Sequence, residues 1–215
     1  MILFLLAVPF LFYGFGREVL FVLKGFSLND SRWIAFIIGF IVFFPVQFIA
    51  FRLFNSFWCY LQTLEHELTH LFVGLFFLKI PTGIRVTAHD GGEVRQVGRG
   101  TTGQTWISLA PYFFPTVSLA IIIFAYFLEV KTNILLGLLG FSTAFHLISN
   151  WTQTSFRQTD LQDAGIVKTI LILPIMNLIC YGSVLAFVKR GSSGFVGFWV
   201  ESLRAAYEFG MGVFK

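Results

Sequence analysis

Apolar runs about as long as a bilayer is thick follow one another along this chain, and they confine it to a small set of architectures. A membrane-spanning helix needs about 20 predominantly apolar residues, a barrel strand only about 10. In lipid every backbone N–H and C=O must also be satisfied within the protein. The runs at 1–22, 33–54, 57–80, 112–128, 133–151 and 166–188 have helical length. The sequence therefore predicts an α-helical polytopic protein with about six transmembrane helices, integral to a cytoplasmic (plasma) membrane. Composition agrees: 56% of the 215 residues are hydrophobic and 12% charged, where soluble domains carry about a quarter charged residues. A soluble globule, a disordered chain and a coiled coil are excluded on that ground.

The first run lacks a basic leading segment and a small-residue cleavage site before Arg17-Glu18, so it reads as a span rather than a removed signal peptide. After the last long run, Glu201, Arg204 and Glu208 share one helical face while Phe195, Phe198, Trp199, Leu203 and Tyr207 take the rest. That pattern predicts an amphipathic helix lying in the membrane interface over 191–215, beside a single bundle over 1–190. The net charge is +4, with the basic residues scattered, so the bilayer is an expected partner and nucleic acid is not. Cys59 and Cys180 have no CxxC spacing and read as small hydrophobes.

If six spans alternate, Arg17, Lys24, Arg32, Lys79, Arg85, Arg95, Arg99 and Arg157 share one side. Arg52, Lys131, Lys189, Arg190, Arg204 and Lys215 then share the other. The positive-inside rule assigns the first group to the cytoplasm. The polar stretch 81–110 holds two alternating segments around Asp90-Gly91, a β-hairpin signal.

The sharpest chemical feature is His66-Glu67-Leu68-Thr69-His70 inside an apolar helix. Residues four apart lie about 40° from each other around a helix, so both imidazoles converge on one point with Glu67 beside them. Ionisable groups are costly at membrane depth, and three within one turn call for a compensating reason. Zn²⁺ is that reason: imidazole suits it, and a carboxylate nearby can deprotonate a water that it acidifies. Gln62, Thr63 and Thr69 extend the polar arc; Leu61, Leu64, Leu68 and Leu71 form the opposite face. The bland alternative is a structural polar seam.

A third protein ligand is required. Asp160 at the start of the final long helix is the first choice, with Asp163 and His146 as alternatives. The preceding helix carries a polar stripe of Ser142, Thr143, His146, Ser149, Asn150 and Gln153, which must face protein or water. His146 reads as an interhelical hydrogen bonder, a partner that orients one of the ligands, or a further ligand. Asn150 is a candidate donor to a substrate carbonyl or oxyanion, and His89 reads as a solvated turn residue.

With HELTH in a membrane span, a Gly-rich hairpin after it, and Asn150 followed ten positions later by Asp160 opening a later span, the chain resembles the site-2 protease family of intramembrane zinc metalloproteases. The resemblance runs from about residue 54 through the last long helix. It implies zinc, Glu67 as general base and peptide-bond hydrolysis within the membrane, with a membrane protein as substrate. In that family the third ligand belongs to an Asp-Gly motif after a proline-containing loop. This chain has Asp160-Leu161 and Asp163-Ala164-Gly165, with no proline between Asn150 and the acids. A substrate helix must unwind before cleavage, and the strand Ile84, Arg85, Val86, Thr87, Ala88 is the expected edge to hold it. The rival readings are a non-hydrolytic metal-binding or transport protein, which the absence of an inverted repeat disfavours, and a catalytically silent binder of membrane segments, for which Glu67 has no use.

Overall fold

The computed structural model describes residues 2–98, 103–127, 133–154 and 158–213. Its helices are α1 (Ile2–Lys24), α2 (Ser31–Leu53), α3 (Asn55–Phe76), α4 (Gln104–Leu109), α5 (Thr116–Phe127), α6 (Asn133–Gln153), α7 (Thr159–Ala164), α8 (Ile166–Arg190) and α9 (Ser192–Val213), with a 3₁₀ turn at Ala110–Tyr112 after α4. An antiparallel hairpin, β1 (Ile80–Val86) and β2 (Gly92–Val97), follows α3. Arg99, Lys131, Arg157 and Lys215 of the charge count lie outside the described residues.

Among the described residues, four helices are long and apolar enough to cross a membrane: α1, α2, α6 and α8. A fifth candidate is the pair α4 to α5, bent by 90° at its break. Two of the six expected spans thus differ. The run at 112–128 is helical only over the 12 residues of α5, about 18 Å at 1.5 Å per residue, short of the ~30 Å hydrocarbon core. The helix α3 has the length, but Glu65, His66, Glu67 and His70 lower its hydropathy.

The bend changes the direction of everything after it. Strict alternation sets α8 against α1, yet the two run parallel, with Lys189 Nζ donating to the Phe21 carbonyl at 2.9 Å and Gly16 beside Leu178. Likewise α6 runs with α2, Phe43 packing its ring on Phe141 and Phe145. Arg32 at the start of α2 donates through Nη2 to the Phe187 carbonyl near the end of α8, at 3.0 Å. Lys24 and Arg32 therefore share an end of the bundle with Lys189 and Arg190, and the two-sided charge division expected from alternation does not hold.

Small residues set the tightest crossing. Gly39 faces the backbone of Gly137 and Gly140 that of Phe36, and a Cβ at either would collide with main chain, the close approach that small residues allow between membrane helices. The tail α9 runs antiparallel along α1, with Phe209 on Phe10 and Tyr13 and Phe198 and Trp199 on Phe15. Arg204 pairs with Glu208 at 3.3 Å on the outer face.

The main core joins α1, α2, α5, α6, α8 and α9 through Phe15, Trp33, Leu139 and Val184, among others. A second cluster, with Leu109, Tyr112, Phe113, Leu161, Ala164 and Ile172, clamps the α4 turn and α7 onto α8. Outward residues of α2 such as Ile38, Ile41 and Phe48 are more than half exposed, as a lipid-facing surface requires. Cys180 is buried and Cys59 bonds Asn55, both as free thiols.

The hairpin turn is wider than the two residues expected. The strands stop at Val86 and resume at Gly92, and Thr87 closes the turn: its N–H and hydroxyl both donate to the Gly91 carbonyl, at 3.1 and 2.7 Å. Only Gly91 in that turn has positive φ. Thr87 and Ala88 are consequently turn residues, not strand.

Candidate functional site

On α3 the i,i+4 spacing does what it dictates. The rings of His66 and His70 lie 4.9 Å apart, and the Nε2 of each is 3.3 Å from the same oxygen, Oδ2 of Asp160. Asp160 occupies the first turn of α7, which the second core cluster presses against α8 and toward α3. Among the described residues, these three form the only group of three or more His, Cys, Asp or Glu whose ligand atoms gather, all within 4.8 Å of one another.

The tautomer of His70 follows from its other nitrogen. Nδ1 is 2.8 Å from the carbonyl oxygen of Ile107 in α4, an atom that can only accept, so Nδ1 carries a proton, and the neutral ring has its lone pair on Nε2, the nitrogen that faces Asp160. Ligating histidines are oriented in this way. The two separations to Asp160 also fit: donors about 2.0–2.1 Å from a tetrahedral zinc ion are about 3.3 Å from each other, the distance of each Nε2 from Oδ2. Two imidazole nitrogens and a carboxylate oxygen match a catalytic zinc set.

Glu67 is 5% exposed and lies against Gly92, the first residue of β2, where a Cβ would strike its carboxyl group. The hairpin is pinned along α3 at two further points. Gln96 Nε2 donates to the His70 carbonyl at 3.0 Å, and His89 Nε2 pairs with Ser56 Oγ at 3.2 Å, so His89 ties the turn to the start of α3. Between hairpin, α3, α4 and α7 lies a polar cavity of about 430 Å³, bordered by Glu67, His70, Lys79, Gln104, Asp160 and Asp163 among others. From the hairpin it takes Gly92, Glu93, Val94 and Gln96 of β2. Glu93 is fully exposed, and the Arg95 guanidinium hydrogen-bonded to it holds its carboxyl below the usual range.

A family model described as Peptidase M50B-like matches residues 33–173, about two thirds of the chain. The chain belongs to that family, in the site-2 protease group. No curated protein and no solved structure matches it. Membership of a membrane metalloprotease family and the four long apolar helices together make this a membrane protein. The matched span takes in α3, the hairpin and Asp160.

Other residues singled out in the sequence fall elsewhere. Asp163 borders the cavity but stands outside the three-residue group. His146, 1% exposed, directs Nδ1 at Glu65 Oε1, 2.8 Å away, and Asn150 Nδ2 lies 3.5 Å from its Nε2. His146 is thus an interhelical partner, and Asn150 is placed beside it. The residues Ile84, Arg85 and Val86 of β1 are not in the cavity lining; β2 is the strand beside it.

Sequence reasoning passed over three groups that shape this site and a fourth, Glu65, that lies outside it. Glu65, a buried carboxylate in an apolar helix, was a signal in itself, since such a group demands a partner. The carbonyl of Ile107, the Cβ-free face of Gly92 and the phenol of Tyr112 had none, because only the bend and the hairpin bring them to α3. Tyr112 sets its ring 5.6 Å from that of His66, edge to face.

Proposed function

We propose that this protein is a zinc-dependent intramembrane endopeptidase, resident in a cytoplasmic membrane, that hydrolyses peptide bonds of membrane-spanning or membrane-associated polypeptides. The observation that carries this reading is the convergence of His66 and His70 Nε2 on Asp160, with Glu67 beside them at a polar cavity within a bundle of apolar helices.

In this reading His66, His70 and Asp160 hold the ion. When bound, zinc supplies Lewis acidity toward a water and toward the scissile carbonyl. Glu67 takes a proton from the attacking water and delivers it to the departing amine. Its burial against Gly92 keeps the carboxylate in one place, which matters because a base must lie within hydrogen-bond reach of the proton it removes. An unwound substrate runs along the hairpin as an added strand. The strand it meets is β2, since β2 borders the cavity.

Glu67→Gln tests the mechanism. It removes the base and leaves both imidazoles and Asp160, so cleavage of a membrane-anchored reporter by the purified protein should fall to background while zinc per chain stays at the wild-type value. Cleavage at the wild-type rate would sink the proposal.

A further inference from the structure

Tyr112 uses its ring on His66 and its hydroxyl on the segment that carries Asp160. It is 3% exposed and sits in the 3₁₀ turn where the chain bends between α4 and α5. Its carbonyl accepts from Asn177 Nδ2 of α8 at 3.2 Å, which fixes the turn to the bundle. The ring packs edge to face on His66. The hydroxyl donates to Gln158 Oε1. That bond fastens the residue at the N-terminal cap of α7, two positions before Asp160.

Phenylalanine would fill the same apolar cluster without a polar atom to satisfy, so the hydroxyl calls for an explanation of its own. Asp160 supplies it. The helix α7 has six residues and no side-chain hydrogen bond at its N-terminal cap, and the Asp160 side chain is 28% exposed. Nothing in so short a helix by itself aims that carboxylate at α3. Tyr112 does so from a turn that is independently anchored to α8.

Resting on the zinc reading above, we propose that Tyr112 is a positioning residue for Asp160: its ring seats His66, and its hydroxyl holds Gln158, two residues before Asp160, so that the carboxylate stays toward His66 and His70 and metal affinity depends on the bend between α4 and α5. Together with the Ile107 carbonyl on His70, this segment then orients all three ligands.

The test is zinc affinity of the full chain in detergent, read by competition with a chromophoric chelator, for wild type, Tyr112→Phe, Asp160→Ala and the double variant. Loss of a group that orients a ligand typically weakens metal binding by about 10–100-fold. Tyr112→Phe should do so, with an altered cobalt(II) absorption spectrum and unchanged melting of the metal-free protein. In the Asp160→Ala background Tyr112→Phe should have no further effect, because coupled groups are not additive. Wild-type affinity and spectrum in Tyr112→Phe, or the same loss with Asp160 already absent, would overturn the proposal and leave the zinc reading standing. A wild-type protein that binds no zinc dependent on His70 would overturn both. If Tyr112→Phe does not fold, Gln158→Leu carries the test, and wild-type affinity and spectrum there would overturn it.

Discussion

Two pairings of carboxylate and histidine sit on α3, about 100° apart around its axis, and they are built differently. Glu65 and His146 are closed off, their side chains 7% and 2% exposed, with each ring nitrogen given one partner: Glu65 on Nδ1 and Asn150 on Nε2. His66, His70 and Asp160 are three-cornered, with side chains 12%, 11% and 28% exposed, and His70 and Asp160 line a cavity. The first arrangement satisfies buried polar groups and joins α3 to α6. The second aims two imidazole nitrogens and a carboxylate at one point, leaving room for something more. Residue types alone do not separate a seam from a site; the number of donors meeting and the access to them do.

Removing a corner of the open cluster should have the largest effect. His70→Ala or His66→Ala should abolish cleavage and bound zinc, since two remaining ligands do not make a closed set. Asp160→Asn should lower zinc per chain, measured by elemental analysis, far more than Asp163→Asn. The reverse order would hand the third corner to Asp163.

Glu65→Ala should separate the two pairings. It leaves His146 buried without its partner, and breaking a buried pair on one side destabilises soluble proteins by about 3–5 kcal/mol. Thermal unfolding should therefore occur well below the wild-type temperature, while the folded fraction keeps its zinc. Glu65→Ala protein that melts normally but has lost its metal would make Glu65 part of the site and erase the distinction.

The smallest effects belong to the hairpin. Substituting proline along 93–96 of β2 should reduce cleavage at the positions whose N–H points to the cavity side, with zinc content retained, because proline removes a donor that an added strand needs. Arg85→Ala, on a half-exposed or exposed stretch of β1, should change cleavage of a neutral substrate little. Uniform tolerance of proline in β2 would reduce the hairpin to a cover over Glu67.

Much of the helical fold was readable in one dimension because lipid demands about 20 apolar residues per span and makes every buried charge conspicuous. Alternation failed at a single place, the run at 112–128, where Pro111 and Pro115 flank a bend. Hydropathy does not register a bend, and one missed crossing reverses the direction of every later helix. His89 and His146 show the same limit, since one reaches Ser56 and the other Glu65 across distances in the chain that no local pattern encodes.

What the sequence determined by itself is what depends on short-range periodicity: long apolar helices, a hairpin after α3, and His66, Glu67 and His70 on adjoining faces of one turn. Helix geometry is set by backbone hydrogen bonds between near neighbours, so spacing is sufficient. Only the tertiary structure decided that Asp160 rather than Asp163 meets the two imidazoles, that β2 rather than β1 borders the cavity, and that Ile107, Tyr112 and Gly92 surround the group. Each of those contacts joins residues more than 20 positions apart, and they are set by how the hairpin, α4, α7 and α8 pack around α3, which no local spacing records.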